Sequence, residues 1–579
     1  MSPSRAVLMV GEGNFSFSAS ACQLYSGSET TVTATCLQHQ EEALRHEGAA
    51  DNIQTIKDSG GTVLFEVDCT KLDECASLQG HRFDRVVFNF PHYGRKSGVK
   101  KNRELLRNFF LSCVQVLAEG GEVHVSLCNG QGGTPADQPK REWHNSWQAV
   151  AMAAEADLIL SAIHPFENDK HQSYKCTGYR SQDKGFHVEK ALVHMFTRSI
   201  PYTPAHLLKV EEVVEGEKVQ YEIPAELSDY IFRRFLCSDS VHPVKLVQDF
   251  LLEGLMKKWP VSMMTETIPF LLTAKQLQTH CCGIDSAQCY WIHLLQKDLT
   301  SDTDTSADKE NDPRPTETLL PTCLASNKGD RLLAKKEAII NADGNEKDDL
   351  LYGISGVVFR NVPIGLWAMP AFHELLIQGV FPSESEPGKL LGEKLETLLA
   401  PFGVSIVTEQ GGLRLKAQPV GLVGKVFASD VSDNNNHVRI TASLNLDLLA
   451  VLLFSLPDWR LLWSHDPRFL KQFSSHPSPG TPFHPFCLYP EPFIFDISFW
   501  TGPTWEEKNF HAVVREASCG TVEQVKLIDR FSHPDLSQTS YCYRLIYHSH
   551  THALSHTRAL QFHKHLETLL SSRLQVTIR

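Results

Sequence analysis

The chain has 579 residues, 42% hydrophobic and 21% charged, with a formal net charge of −13. Such a length calls for about three or four domains, and no apolar run approaches the roughly 18 residues of a membrane span, which excludes a membrane protein by composition. The acidic excess excludes a protein that coats nucleic acid through bulk electrostatics, so any RNA contact must be local.

The opening residues run straight into a first strand and leave no room for a targeting peptide. The expected compartment is the cytoplasm, with the nucleolus as the alternative. The 15 cysteines include no Cys-x-x-Cys pair and read as reduced thiols.

Ala6 to Val10 is a short apolar run of the kind buried in a parallel sheet, and Gly11 and Gly13 follow it. Asn14 is placed to cap a helix over Phe15 to Leu24, so the turn offers free backbone N–H groups where ligands of open α/β sheets bind. The dinucleotide fingerprint expects a third glycine where Ser16 stands, which disfavours a nicotinamide cofactor. Strands are expected over Thr31 to Cys36, Val63 to Val67 and Phe83 to Phe90, the last running into Asn89-Phe90-Pro91-His92. A helix over 103–117 stops at Gly120-Gly121 before a fifth strand ending at Leu127. These alternations call for a Rossmann-like parallel sheet. A helix over Trp143 to Ala156 and strands over Leu158 to Ile163 and Ala191 to Phe196 complete it with an antiparallel edge pair.

In order, Val10 to Phe17 (Val-Gly-Glu-Gly-Asn-Phe-Ser-Phe), Val67-Asp68-Cys69-Thr70, Asn89-Phe90-Pro91-His92 and Gly178-Tyr179-Arg180 resemble the uracil-N3 methyltransferases of large-subunit ribosomal RNA. The resemblance covers about residues 5–198. It implies S-adenosylmethionine as cofactor, with Gly11, Glu12, Gly13 and Asn14 around its amino-acid end and Asp68 toward the adenine. Gln38 falls where such enzymes place an acidic residue on the ribose, and an amide forgoes the charge-assisted bond.

The tetrad at 89–92 is similar to the Asn-Pro-Pro-aromatic tetrad of enzymes that methylate planar nitrogens. Asn89 can hold one edge of a base, and the ring of Phe90 or Tyr93 can stack on its face. Uracil N3 carries a proton that must leave, and His92 is the nearest candidate base, with an exposed or helix-capping histidine as the plain alternative. Arg95, Lys96, Lys100, Lys101, Arg103 and Arg107 follow directly and can grip phosphates. Arg180 and Lys184, near Tyr174 and Tyr179, form a second candidate clamp.

Residues 201–298 carry few motifs and read as an unassigned globular segment. Residues 299–350 are acidic and poor in aromatics, the composition of a disordered linker. Globular sequence resumes at Leu351, giving expected domains at 1–200, 351–480 and 481–579.

From Thr441 onward a second resemblance appears. Ser443 to Asp458, Arg460 to Ser464 and Asp466 to Phe473 are similar to the end of the phenylalanyl-tRNA synthetase catalytic core. Asp496-Ile-Ser-Phe-Trp500, Leu527 to Phe531, His533-Pro534 and Ser540-Tyr-Cys-Tyr-Arg544 resemble that enzyme's ferredoxin-fold anticodon-binding domain. The periodicities here read as β-α-β-β-α-β. The family's ATP motif ends Gly-Leu-Gly-Leu-Glu-Arg, whereas this chain has Ser443 to Leu448 and no arginine, so aminoacylation is not expected. Arg515, Lys526, Arg530, Arg544 and Arg558 supply positive charge for RNA. The histidines from His548 to His565 read as surface groups aiding that contact rather than as a metal site, since no Cys or carboxylate stands at ligand spacing.

Two functions stand: an S-adenosylmethionine-dependent RNA methyltransferase acting on rRNA or tRNA, and a catalytically silent tRNA-binding adaptor.

Overall fold

The computed structural model describes residues 5–94, 97–177, 188–214, 216–264, 270–273, 286–292, 294, 322–324, 350–409, 411–430, 437–534 and 538–579. The chain divides into two compact units. The first comprises residues 1–202, 485–495 and 546–565, the second residues 203–484, 496–545 and 566–579.

The first unit is built on β1 (Arg5–Val10), α1 (Ser16–Leu24), β2 (Thr30–Thr35), α2 (Gln40–Ala43), α3 (Ala49–Asp58), β3 (Thr62–Leu64), β4 (Phe83–Asn89), α4 (Val99–Cys113), β5 (Leu117–Leu127), α5 (Ala149–Ala154), β6 (Leu158–Pro165) and β7 (Leu192–Arg198). Its sheet runs β3-β2-β1-β4-β5-β7-β6. The first five strands are parallel, and β7 pairs antiparallel with both β5 and β6. Alternate residues of β1 feed opposite faces. Leu8 and Val10 join Phe88, Phe109 and Phe110 on one side, while Val7 and Met9 join Val32, Phe15 and Ile56 on the other. A strand covered on both faces must be apolar throughout, which is why Ala6 to Val10 is legible as a run.

Three expected elements differ. Helix α4 spans Val99–Cys113, four residues ahead of the expected start, because Gly98 opens it and the Asn102 side chain bonds back to the Gly98 carbonyl at 3.3 Å. Gly120 and Gly121 lie inside β5 rather than before it. A Cβ on Gly121 would stand 3.0 Å from the Phe83 carbonyl, so the glycine permits the close approach where the β4–β5 register shifts. The helix expected over Trp143 to Ala156 is a 3-10 turn at Trp143–Asn145 followed by the short α5.

The second unit begins with the hairpin β8 (Leu208–Val214) and β9 (Glu217–Ile223), then α6 (Pro243–Met256) and β10 (Val261–Met263). Strands β11 (Leu271–Thr273), β12 (Trp291–Ile292) and β13 (Thr322–Leu324) form a small sheet. Strand β13 falls within the stretch expected as a linker; the remainder of 299–349 lies outside the described residues.

The chain then runs through β14 (Leu351–Phe359), β15 (Ala371–Pro382), α7 (Pro387–Leu399), β16 (Val404–Glu409), β17 (Gly412–Ala417), β18 (Gly421–Asp430), β19 (His437–Asn445), α8 (Leu446–Leu453) and α9 (Pro467–Lys471). Their seven-stranded sheet is ordered β10-β14-β15-β19-β18-β17-β16 and is antiparallel except for β10 on β14.

The C-terminal segment follows the expected alternation: β20 (Phe493–Trp500), α10 (Glu507–Ala517), β21 (Val522–Ser532), β22 (Thr539–Tyr547), α11 (His556–Arg573) and β23 (Thr577–Ile578). The sheet order is β21-β22-β20-β23.

Candidate active site

In a parallel sheet the loops after consecutive strands emerge at one edge, and here they are laced together. The Glu12 N–H donates to the Thr35 carbonyl (3.0 Å), Val67 N–H to Cys36 (2.9 Å) and Glu66 N–H to Gln38 (3.1 Å). Thus Gly11 to Asn14, Gln38 and Asp68 occupy neighbouring loops. Gly11 has φ +67°, and a Cβ there would stand 2.5 Å from the Phe88 ring. A Cβ on Gly13 would lie 2.0 Å from Thr177 Oγ1 and would displace that side chain, whereas the positive φ of Gly11 requires glycine outright.

Phe15 closes the turn at φ 60° as the cap residue of α1, one position later than expected, while Asn14 Oδ1 accepts the Ser16 N–H at 3.2 Å. The Glu12 carboxylate accepts the Ser18 N–H at 3.4 Å. Burial raises its pKa to about 7, against the opposing pull of that bond. The Ser18 hydroxyl is buried beside the same carboxylate and adds to that pull.

Asp68 Oδ1 accepts both the Thr70 N–H (2.9 Å) and its hydroxyl (2.7 Å), which fixes the loop. Gln38 Oε1 lies 2.8 Å from His46 Nε2, so the amide oxygen is already engaged.

Asn89 ends β4, and its Oδ1 accepts the Ser126 hydroxyl from β5 at 2.6 Å. The bond orients the amide and leaves the Nδ2 hydrogens as donors. Phe90 has φ 49° and is 6% exposed. Its ring packs edge-on to Phe166 (5.2 Å) and parallel to Tyr174 (6.5 Å), both on the segment after β6. A left-handed conformation is costly for an aromatic residue and persists because this packing holds it. The expected stacking of Phe90 on a base is therefore corrected: its face is taken by the protein.

Tyr93 is 54% exposed, with Lys101 Nζ 5.1 Å from its ring centroid. His92 Nδ1 accepts the Gly94 N–H at 3.0 Å, so in the neutral ring the proton resides on Nε2.

Lys100, Lys101 and Arg107 are exposed on α4. Arg103 instead binds the carbonyls of His144 (2.6 Å) and Ser146 (2.7 Å), a structural role that removes it from the expected phosphate grip. Arg95, Lys96, Arg180 and Lys184 lie outside the described residues, as does Gly178-Tyr179-Arg180.

Two residues of consequence escaped sequence reasoning. Ser126 sits in an ordinary apolar strand. Asn102, 4% exposed, accepts the Tyr93 N–H at 3.0 Å and so holds the turn after the tetrad. Its one signal is a polar residue on the buried face of an amphipathic helix.

In the second unit Leu448 is 5% exposed and packs in the core of α8, capped by Asn445 Oδ1 at 2.9 Å from Leu448 N. Asp447 is fully buried and accepts the His373 N–H (2.7 Å), with His373 Nδ1 at 3.0 Å. Arg515, expected to meet RNA, is buried against Glu226 (Nη1–Oε2 3.2 Å) and does not face solvent. Arg544 pairs in a fork with Asp496 at 2.8 Å on an exposed face, and Arg530 lies 5.5 Å from the Tyr541 ring centroid on an exposed strand. Within the first unit, His563 bonds Tyr547 (3.1 Å), His552 stacks on Tyr202 (4.7 Å) and His548 faces the Pro490 carbonyl (3.2 Å). These three histidines serve the fold, contrary to the surface reading, whereas His556 and His565 are exposed as expected.

Two family models match the chain. Residues 8–178 match the BMT5-like family, described as rRNA (uridine-N3-)-methyltransferase BTM5-like, and residues 489–579 match the ferredoxin-fold anticodon binding domain. The mitochondrial phenylalanine–tRNA ligase of Mus musculus is 42% identical over 123 residues, 21% of this chain and 27% of that protein. Ferredoxin-fold anticodon-binding domain-containing protein 1 of Homo sapiens is 37% identical over 97% of this chain and 98% of its own length. Its Mus musculus homolog is 36% identical over 99% of this chain and 100% of its own. Near-complete coverage at this identity, with a BMT5-like methyltransferase domain at one end and the anticodon-binding fold at the other, means that the chain belongs to the family of ferredoxin-fold anticodon-binding domain-containing protein 1.

Proposed function

We propose that this protein is an S-adenosylmethionine-dependent RNA methyltransferase acting on uracil N3, and that its synthetase-like part binds RNA without activating phenylalanine. The observation that carries the reading is the Asn89 amide, held by Ser126 at 2.6 Å beside a turn whose Gly11 has φ +67° and leaves no room for a Cβ. The glycine turn and the buried Glu12 carboxylate beside it fit the cofactor's amino-acid end, with Asn14 beside them and Asp68 and Gln38 for its nucleoside. When bound, the cofactor supplies an electrophilic methyl group on sulfur.

The chain's own residues then handle the base. Asn89 Nδ2 donates to a carbonyl flanking N3. His92, protonated on Nε2 in its neutral form, acts as a second donor and not as the base expected from sequence, stabilising the charge that spreads onto the carbonyl oxygens as the N3 proton leaves to solvent. Tyr93 offers the exposed ring for stacking, and Lys100 and Lys101 the charge for phosphates. Arg95, Lys96, Arg180 and Lys184 extend that grip in the proposal, and Arg530 and Arg544 serve the RNA, rRNA or tRNA, at the C-terminal sheet.

One observation favours the silent adaptor: with Gln38 Oε1 engaged by His46, no anionic acceptor from that position meets the ribose. Calorimetry of the full chain with S-adenosylmethionine separates the two. Saturable binding is expected, and absence of heat at millimolar cofactor would leave the adaptor.

A further inference from the structure

Between β5 and α5 the chain runs through residues 128–148, which include Gly130, Gly132 and Gly133 and yet are firmly held. Asp137, 3% exposed, accepts the N–H groups of Gly130 (3.0 Å), Gly133 (2.7 Å) and Thr134 (2.9 Å). The Trp147 N–H returns to the Gln131 carbonyl at 2.7 Å, and the Ala149 N–H to that of Gly132 at 3.0 Å. These bonds close the loop at its base and leave residues 140–145 as an exposed tip. A tip that is ordered but not buried is placed for contact with something outside the fold.

Trp143 is the large side chain of that tip, and it is 40% exposed. Its carbonyl accepts the Ser146 hydroxyl (2.8 Å), the Gln148 amide (3.3 Å) and Arg103 Nη2 (3.4 Å), so its backbone is fixed. The indole meets no other ring, and its N–H no acceptor, among the described residues. Tryptophan is among the side chains most buried on average, which makes an exposed indole on an immobilised backbone informative.

Asn102 and Arg103 are neighbours on α4, and each fixes the backbone of one exposed aromatic residue. Asn102 accepts the Tyr93 N–H at 3.0 Å, while Arg103 grips Trp143. Both rings therefore stand at one end of α4, Tyr93 in the turn after the tetrad and Trp143 on the loop that follows Ser126, the residue that orients Asn89. Lys100 and Arg107, three residues before and four after Arg103, share its helical stripe and are exposed. Lys140 and Arg141 precede Trp143, and a Cβ on Gly130 would stand 3.4 Å from Arg141 Nε, which places that guanidinium over the root of the loop. None of these four cations forms an ion pair among the described residues, and the exposed acidic side chains interspersed with them are Glu104 and Glu142.

A fixed aromatic face among unpaired cations suits single-stranded RNA, whose bases stack on the ring while the charges hold phosphates. Protein interfaces, by contrast, are depleted in lysine. We propose that Trp143 is a second stacking platform, holding the base of a nucleotide that neighbours the target uridine, with Lys100, Arg107, Lys140 and Arg141 on the flanking phosphates. This rests on the reading of the first unit as an RNA methyltransferase with Tyr93 at the target base. Every base has a π-face, so the platform supplies affinity and orientation without reading sequence.

The test irradiates the full chain with a single-stranded RNA of about 12 nucleotides carrying 5-iodouridine, which couples to aromatic side chains stacked on it, and maps the adducts by peptide mass spectrometry. An adduct is expected on Trp143. Anisotropy titrations with the same RNA are run in an Arg530→Ala, Arg544→Ala background, which removes the proposed contacts of the C-terminal sheet. There Trp143→Ala should lower affinity about tenfold and Trp143→Phe should restore most of it, both with an unchanged salt slope, melting temperature and calorimetric affinity for S-adenosylmethionine. Lys100→Gln combined with Arg107→Gln should instead reduce the salt slope by about 1.4. RNA binding that Trp143→Ala leaves unchanged, with no adduct on Trp143, would overturn the platform and leave the methyltransferase reading standing. Trp143-dependent binding by a chain without methyl transfer would uphold the platform and fail that reading. Equal losses in Trp143→Phe and Trp143→Ala with a lowered melting temperature would make the indole a structural group and also overturn the proposal.

Discussion

The strand ends of the first unit and the helix α8 region of the second treat polar groups in opposite ways. Around the glycine turn, Glu12 and Asn89 sit where strands end, and their hydrogen bonds to Ser18 and Ser126 leave donor or acceptor capacity over. In α8 the position where the synthetase resemblance leads one to expect an arginine is a core leucine, and Asp447 is enclosed with His373. On the proposed function, the first unit uses polar groups at its strand ends for chemistry, while the second lends only its shape to RNA.

The sharpest way to break this contrast is to put the lost charge back. Leu448→Arg places a cation in a 5% exposed position, so a loss of about 3–5 kcal/mol in unfolding is expected, with no ATP-pyrophosphate exchange with phenylalanine. A folded variant that regained exchange would show the second unit to be a synthetase one substitution away.

Next in size is Asn89→Ala, expected to lower methyl transfer by about a hundredfold or more, with Ser126→Ala, which frees the amide to rotate, giving a smaller loss of about tenfold. Equal effects from the two would place Ser126 in direct contact with the base.

His92 distinguishes donor from base. If Nε2–H donates, His92→Gln should keep part of the rate lost in His92→Ala, and both should parallel the wild-type pH profile. A rising limb present in the wild type and absent in His92→Ala would restore the base role.

A subtler effect concerns His511, whose Nδ1 accepts the Ile364 N–H at 3.2 Å and whose pKa burial lowers to about 4. The unfolded ring binds a proton more readily than the folded one, so this contribution to stability is present above pH 6.5 and is lost as pH falls toward about 4. Denaturant melts across that window should show it, and His511→Gln should flatten the slope. The smallest expected effect is Gln38→Glu, which should tighten the cofactor a few-fold.

Much of this is legible in the sequence because it rests on local rules. The run Ala6 to Val10 must be apolar, Gly11 must lack a Cβ, and the C-terminal β-α-β-β-α-β follows from periodicity. What is not legible depends on distant pairings. Nothing near Arg515 in the chain announces Glu226, and nothing near Arg103 announces the carbonyls at 144 and 146. Both look like free cations in the sequence because exposure is the default for arginine. Phe90 looks like a stacking ring because its partners Phe166 and Tyr174 arrive more than 70 residues later. Gly121 inside β5 mimics a helix stop for the same reason, since the carbonyl it approaches belongs to Phe83.

The central claim is that the first unit performs methyl transfer to uracil N3. The most direct test incubates the full chain with methyl-labelled S-adenosylmethionine and cellular RNA, then digests the RNA to nucleosides and resolves them by mass spectrometry. Label is expected in N3-methyluridine and should be absent with Asn89→Ala. Label in another nucleoside, or no label in any RNA from a chain that binds the cofactor, would contradict it.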